Sequence, residues 1–249
     1  MALKDTEKRE EKLAGGEIVI RNRMFTWLDN FWYHYKWHVI VIAFFVMVSA
    51  ICFVQCGTKN KTDAMIAFAG STSLSGEDYE PILDVLESLV PTEDGEKQVF
   101  GWHGFSIYDE ETLKKLYTDP NNNKLSQAAY SNAKQFNTNN IRDFSTYVLT
   151  GDSAIWFVSE YIYQYQELDQ RVVSLAETFG SKIPEGAYDA YAIRLSETVL
   201  YQYYDVLKVL PEDTLLVFPK PLVIGSSSDS ETYAQYEALY RAIVEFEAP

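Results

Sequence analysis

The residues of this chain that can carry chemistry do not form a catalytic set. His103 is the only histidine outside the N-terminal apolar region, and no cysteine follows Cys56. The sequence contains no nucleophile elbow, phosphate-binding glycine loop, dinucleotide fingerprint or paired-histidine zinc helix. Because catalysis needs such groups in combination, we predict a protein that is not an enzyme and uses no cofactor.

Five residues are candidates for binding a small polar ligand, because they lie near the predicted ends of apolar strands. They are Ser71, Thr72, Trp102, Ser159 and Glu160. In α/β sheets, ligands bind beyond the carboxyl ends of the strands. Hydroxyl groups there would hydrogen-bond a polar ligand, and an indole would stack on a sugar or planar group. The structural alternative is a turn for Ser71 and Thr72 and the core for Trp102.

A calcium-loop pattern begins in the polar segment after residue 118 and then fails. Asp119, Asn121 and Asn123 occupy its first, third and fifth positions, but Lys124 replaces the required glycine and Tyr130 replaces the bidentate glutamate. We therefore predict no metal site.

Two further charged residues have an ordinary interpretation beside a functional one. Asp152 follows Gly151 and is typical of a turn, although it also lies near a predicted strand. Arg194 either binds an anion or pairs with Glu197 or another neighbour.

The element that positions the rest of the chain is an apolar segment at residues 37–56. Its central part, Val39 to Val54, has no charged residue. Twenty helical residues at ~1.5 Å each reach ~30 Å, the thickness of a bilayer core. Seven lysines and arginines precede the segment, whereas only Lys59 and Lys61 closely follow it. This asymmetry predicts a single-pass plasma-membrane protein with a cytoplasmic N-terminus and an extracellular C-terminal domain.

The flanks of this segment have their own expected roles. Residues 1–17 are of mixed charge and predict a flexible cytosolic tail. Residues 18–36 are rich in aromatic residues and predict a helix in the membrane interface, or alternatively a docking surface for a membrane-protein partner. Residues 57–62 predict a polar linker. The competing interpretation of the apolar segment is a cleaved signal sequence, for which Val48-Ser49-Ala50 is a poor cleavage site.

Residues 63–249 predict one α/β domain. Apolar strands are expected at 63–70, 97–107, 154–158 and 210–218, and helices at 75–90, 109–117, 141–148 and 230–246, with a further helix opening at Ser159 and Glu160. Alternation of strands and helices favours a mostly parallel sheet with flanking helices.

Composition narrows the function classes further. The residues after Cys56 include 14 basic and 30 acidic side chains, a formal charge of −16. This charge repels nucleic acid, so we predict no nucleic-acid partner. The absence of cysteine after Cys56 excludes a disulfide framework, and 47% hydrophobic residues provide material for a core.

The segment from Phe136 to Gln166 resembles a known family. In this segment a helix stops at Thr150-Gly151-Asp152, a buried strand follows, and a second helix starts at Ser159-Glu160-Tyr161. This order of elements is similar to the pattern in extracytoplasmic solute-binding proteins of bacterial ABC importers with the type 2 periplasmic-binding fold. The resemblance covers residues 62–247 and is one of pattern. The aromatic residues 31–37 also resemble those of single-pass membrane proteins of Firmicutes that have no assigned function.

The resemblance implies a membrane-anchored extracytoplasmic protein that captures a small polar ligand, with a role in transport. Capture would occur by closure of two lobes. The alternative is a domain of that shape that binds no ligand and serves as an interaction or structural subunit of a membrane assembly.

Overall fold

The computed structural model describes residues 23–57, 62–90, 98–121 and 123–249. The chain divides into two compact units, residues 1–60 and 61–249. The predicted tail at 1–17, the first residues of the predicted juxtamembrane helix and most of the predicted linker lie outside the described residues.

The described part of the first unit is a single helix, α1 (Arg23–Gly57), of 35 residues. Its segment Phe31–Phe53 has a mean hydropathy of 2.1 and is long and apolar enough to cross a membrane. The predicted juxtamembrane and membrane segments are continuous here, because no glycine or proline interrupts the sequence between Arg23 and Cys56. Along this helix the rings of Trp27, Phe31 and Tyr35 stack at four-residue spacing.

The second unit contains the remaining elements. Its helices are α2 (Gly76–Leu89), α3 (Glu110–Leu116), α4 (Gln127–Tyr147), α5 (Glu160–Tyr165), α6 (Leu175–Phe179), α7 (Val199–Tyr203) and α8 (Ser230–Val244). Its strands are β1 (Ala64–Gly70), β2 (Phe100–Ser106), β3 (Thr118–Asp119), β4 (Lys124–Leu125), β5 (Ser153–Ser159), β6 (Ala192–Arg194) and β7 (Thr214–Val217). Short 3-10 turns cover Leu168–Gln170, Leu195–Glu197, Asp205–Val209 and Ser226–Ser228.

Five strands form one mixed sheet in the order β2-β1-β5-β7-β6. The strand β1 pairs in parallel with both β2 and β5, whereas β7 runs antiparallel to β5 and β6. The α/β class with flanking helices is therefore confirmed. The sheet is mixed rather than mostly parallel, because β7 enters it from the edge at which its neighbours end. The strands β3 and β4 form a separate antiparallel ribbon.

Each face of the sheet has its own apolar core. Alternate residues of β5 point to opposite faces: Ile155 and Phe157 belong to one core, and Trp156 and Val158 to the other. The helices α2 and α8 cover the first face, and the end of α4 together with α5 covers the second. Because both faces are covered, β5 is buried at every residue, which explains its continuous apolar sequence.

Polar residues at the helix starts explain where the helices begin. The backbone N–H and hydroxyl of Ser75 donate to the Asp78 carboxylate at 2.8 and 2.7 Å, as expected for the start of α2. Asp109 accepts two backbone N–H groups at the start of α3, and Asp229 accepts one at the start of α8. The helices predicted at 75–90, 109–117 and 230–246 therefore begin close to their predicted residues. The helix predicted at 141–148 instead begins at Gln127, because residues 127–140 are mostly polar and give no apolar periodicity from which to place its start.

The segment after β7 is fixed against the turn before β5. The backbone N–H of Ser227 donates to the Gly151 carbonyl at 3.0 Å, and Asp152 accepts bonds from the backbone and hydroxyl of Ser226. Gly225 has φ +83°, and a Cβ at this position would overlap the Thr150 carbonyl oxygen. Glycine is therefore required where the two backbones approach.

Truncation of the central strand should destabilise the second unit strongly. Phe157 is fully buried, so we expect Phe157→Ala to lower the free energy of unfolding by about 3–5 kcal/mol. Phe136→Ala is the matched control, because Phe136 is 71% exposed. Denaturant unfolding followed by tryptophan fluorescence measures both. Equal losses in the two variants would contradict the burial described here.

The close approach of the two backbone segments at Gly225 predicts a larger loss of stability on substitution there than at a glycine with free space around it. Gly180 also has positive φ, +67°, but nothing lies within 4 Å of an added Cβ. We expect Gly180→Ala to cost only backbone strain, about 1–3 kcal/mol. Gly225→Ala should cost clearly more, because it adds a collision with backbone to the same kind of strain. Thermal unfolding of both variants tests this ranking, and a smaller loss at Gly225 would refute it.

Candidate functional site

Four strands, β1, β2, β5 and β6, end at one edge of the sheet, which we call the carboxyl edge. Parallel pairing brings the ends of β1, β2 and β5 there, at Gly70, Ser106 and Ser159. The first residue of the antiparallel strand β7, Thr214, pairs with Ser159 at the same edge. Side chains that follow the first three strands therefore meet side chains that precede β7.

Ser71 and Thr72 lie directly after β1 on this edge and are half-buried. Their backbone is held in place, because Ile107 N–H donates to the Gly70 carbonyl at 2.7 Å and the Ser106 hydroxyl donates to the Thr72 carbonyl at 3.3 Å. Within the described parts of the chain, neither of their own hydroxyl groups has a hydrogen-bond partner. Both residues line a wide depression of about 500 Å³.

The opposite wall of this depression comes from residues that the sequence analysis did not propose. They are Tyr201, Lys208, Val209, Leu210, Pro211 and Glu212. The Tyr201 hydroxyl donates to the Leu210 carbonyl at 3.3 Å, and Lys208 pairs with Asp205. These residues precede β7, which begins at Thr214 and not at Leu210 as predicted. Only the antiparallel direction of that strand brings them to the carboxyl edge, and the direction was not evident from the sequence.

Ser159 and Glu160 lie on the same edge but are engaged in the fold. Ser159 is buried, and its hydroxyl accepts a hydrogen bond from Ile162 N–H at 3.4 Å as the cap of α5. Glu160 forms an ion pair with Arg194 at 2.5 Å, and Arg194 also approaches Glu197 at 3.6 Å. The pairing interpretation of Arg194 is therefore the one observed. These contacts join the start of α5 to the end of β6.

Trp102 lies in the middle of β2, opposite Ile66 of β1, and not at the end of the strand. The strand continues through both of its glycines to Ser106, which moves its carboxyl end four residues beyond Trp102. The indole stacks on Tyr79 of α2 with a centroid distance of 5.7 Å and an interplanar angle of 5°. It also lies against Phe68 and Phe157. Trp102 is thus a packing residue between the sheet and α2.

A partly buried carboxylate adds to the electrostatics of this edge. Burial raises the pKa of Asp213, the Glu160 carboxylate raises it further, and Arg194 opposes the rise. The backbone carbonyl of Asp213 accepts a hydrogen bond from Glu160 N–H at 3.2 Å. The residue before β7 is therefore tied to the residue after β5.

The other polar residues considered in the sequence make turns. Asp119 accepts a bond from Asn121 N–H at 2.8 Å within the β3–β4 ribbon, and Asp152 binds the segment at Ser226. In the described ranges, no group of three or more histidine, cysteine, aspartate or glutamate side chains is arranged to hold a metal ion.

Comparison with known proteins gives no relative. No protein-family model matches the chain, and neither a curated protein nor a solved structure matches it.

The raised pKa of Asp213 predicts a stability change of definite sign. Because the folded state holds the proton more tightly than the unfolded chain, stability falls as pH rises above 3.8, the ordinary value for this carboxyl. Asp213→Asn should therefore raise the melting temperature by a few degrees at pH 7 and have little effect below pH 3.8. Melting curves across this pH range provide the measurement.

Asp205→Asn is the control of opposite sign. The hydrogen bond from Lys208 lowers the pKa of Asp205, so its contribution is favourable above the ordinary pKa and is lost as pH falls. This variant should not gain stability at pH 7. An equal rise in both variants would point to a general reduction of negative charge and would contradict the role given to Asp213.

Proposed function

We propose that this chain is a membrane-anchored extracytoplasmic binding protein that captures a small polar ligand without covalent chemistry. The ligand site in this proposal is the depression at the carboxyl edge, between Ser71 and Thr72 on one side and Lys208 to Glu212 on the other. The observation that carries the proposal is that the hydroxyl groups of Ser71 and Thr72 lie in this depression on a fixed backbone and have no hydrogen-bond partner among the described residues.

Free hydroxyl groups favour a ligand role because each offers one donor and two acceptor positions. Solvent satisfies them in the open depression, so a polar ligand can replace that water at small cost. Lys208 and Glu212 both line the depression, and the Lys208 ammonium is already paired with Asp205. The lining therefore offers no unpaired positive charge, which favours a neutral polar or zwitterionic molecule over an anion.

The proposal differs from a two-lobed solute-binding protein in its mechanism. The described residues of the unit 61–249 contain one five-stranded sheet and a short two-stranded ribbon rather than two large sheets. Capture here would use the edge of a single sheet, without closure of a second lobe. A role in transport would then require delivery to a membrane partner, which remains part of the proposal.

The membrane arrangement proposed here rests on α1. Its apolar segment Phe31–Phe53 has the length of a membrane span, and the excess of lysine and arginine before it favours a cytoplasmic N-terminus in the plasma membrane. The C-terminal domain would then face the outside of the cell.

A second candidate function is that of an interaction or structural subunit of a membrane assembly. The observation that favours it is the row of exposed stacked rings on α1, where Trp27, Phe31 and Tyr35 are separated by 5.5 and 5.2 Å. Aromatic rings at this spacing offer a ridge to another membrane helix, and they also suit the bilayer interface.

A ligand screen on the full-length chain in detergent tests the first proposal. The panel contains amino acids, sugars, short peptides and polyamines, and the readout is the melting temperature by intrinsic fluorescence. A ligand at one hundred times its dissociation constant stabilises the folded state by about 2.7 kcal/mol, which raises the midpoint by several degrees. We expect a hit among the neutral or zwitterionic compounds.

Paired variants then locate the site. Ser71→Ala combined with Thr72→Val should weaken the hit about tenfold, because two hydrogen bonds to the ligand are lost. Ser73→Ala is the matched control, since Ser73 is an exposed neighbour that does not line the depression. The absence of any hit from a well-folded sample would favour the second function, for which a partner should co-purify in mild detergent.

A further inference from the structure

A second cavity lies at the opposite edge of the sheet, where β5 begins and β7 ends. Its volume is about 280 Å³, close to the lower end of the range for small-molecule sites, roughly 300–1,000 Å³. Half of the residues that line it have apolar side chains: Val148, Leu149, Trp156, Pro219, Pro221 and Leu222. We call it the amino-edge cavity. It shares no residue with the depression at the carboxyl edge.

The walls of the amino-edge cavity are fixed by hydrogen bonds. Leu222 N–H donates to the Ser227 hydroxyl at 3.2 Å, and Lys220 N–H donates to the Arg171 carbonyl at 2.9 Å. The Trp156 indole N–H donates to the Ser153 hydroxyl at 2.5 Å, so the ring presents only apolar surface. The cavity is therefore part of the folded structure and does not require a loop to close.

Two cations accompany this apolar lining. Arg171 makes no ion pair with any described residue, whereas Arg142, Arg194 and Arg241 each pair with a carboxylate. Among the residues that the structure describes, the ammonium group of Lys220 contacts only a backbone carbonyl, that of Gln170, at 3.1 Å. The chain has 36 acidic and 21 basic residues, and these two lining cations have no carboxylate partner within its described ranges, so their positive charge is available to a ligand.

The apolar surface continues along the segment that forms one wall. Val223 and Ile224 follow Leu222, and they are 96% and 65% exposed. Exposure of two adjacent aliphatic side chains to water is unfavourable, so contact of these side chains with an apolar ligand would lower the free energy.

We propose that the amino-edge cavity binds an amphiphilic anion, a molecule with one carboxylate head and a medium-length hydrocarbon chain. The hydrocarbon would lie against Trp156, Leu149 and Leu222. The carboxylate would pair with the Arg171 guanidinium, whose planar fork matches its two oxygens. Lys220 adds a second positive charge at the head. This site is separate from the polar-ligand site proposed above, so either proposal can fail alone.

The test uses the full-length chain in nanodiscs of zwitterionic phosphatidylcholine and a ten-carbon carboxylate that carries a photoreactive diazirine. Crosslinked peptides are mapped by mass spectrometry. We expect labelling within residues 148–156 and 219–227, and competition by decanoate at a concentration at least tenfold below that needed for decanol. The comparison of acid with alcohol separates charge recognition from simple partitioning.

Charge variants provide the matched comparison. Arg171→Gln should reduce labelling of the cavity about tenfold, the usual effect of losing a charge-assisted bond, while Arg171→Lys should restore part of it. Arg142→Gln removes an exposed arginine outside the cavity and should leave labelling unchanged. Because Arg171 is exposed, its variants should melt like the wild type, which the same samples verify.

Three results would overturn the proposal. The first is labelling confined to α1, which would mean partitioning into the bilayer alone. The second is equal competition by decanol and decanoate, and the third is labelling of the cavity that Arg171→Gln does not change. Either of the last two would show that the site does not recognise the anionic head.

Discussion

Burial of β5 on both faces is the constraint on which the second unit depends. This strand is buried at every residue and pairs with β1 on one side and β7 on the other. Its alternate side chains enter two separate cores, so each helix that covers the sheet packs against it directly or through a neighbour. The strand also reaches both edges of the sheet. Ser159 at its end caps α5, and the turn at Gly151 lies just before its start.

The two edges consequently have different chemistry. At the carboxyl edge, backbone groups are tied by short bonds across strands, and hydroxyl and charged side chains face an open depression. At the amino edge, two segments 74 residues apart in sequence meet through Asp152 and Ser226 and form two walls of a partly open cavity, to which Arg171 also contributes. A polar open site and a more apolar, less open one would suit ligands of different kinds, since water competes more strongly at the first than at the second.

Local signals predicted much of this fold, and long-range pairing accounts for the differences. The helix starts at Ser75 and Asp109 and the buried strands β1 and β5 follow from capping residues and apolar runs. The antiparallel direction of β7 does not follow from local signals, because it depends on the edge of the sheet at which the chain enters this strand. For the candidate site, the end of the first apolar strand correctly predicted that Ser71 and Thr72 lie at the carboxyl edge. The prediction for Trp102 was wrong, because β2 continues through its glycines and ends beyond this residue.

Ionic interactions contribute little to the stability of this fold, so most surface charges are not required to hold it together. Most of the described ion pairs join residues three or four apart on one helix or turn, where such pairs contribute less than about 1 kcal/mol. The pairs of Arg194 with Glu160 and of Lys134 with Glu110 are the exceptions that link distant segments. Because stability comes from the two cores, we expect changes at Ser71, Thr72 or Arg171 to leave the sheet intact, so that such variants test the proposed sites without disturbing the fold.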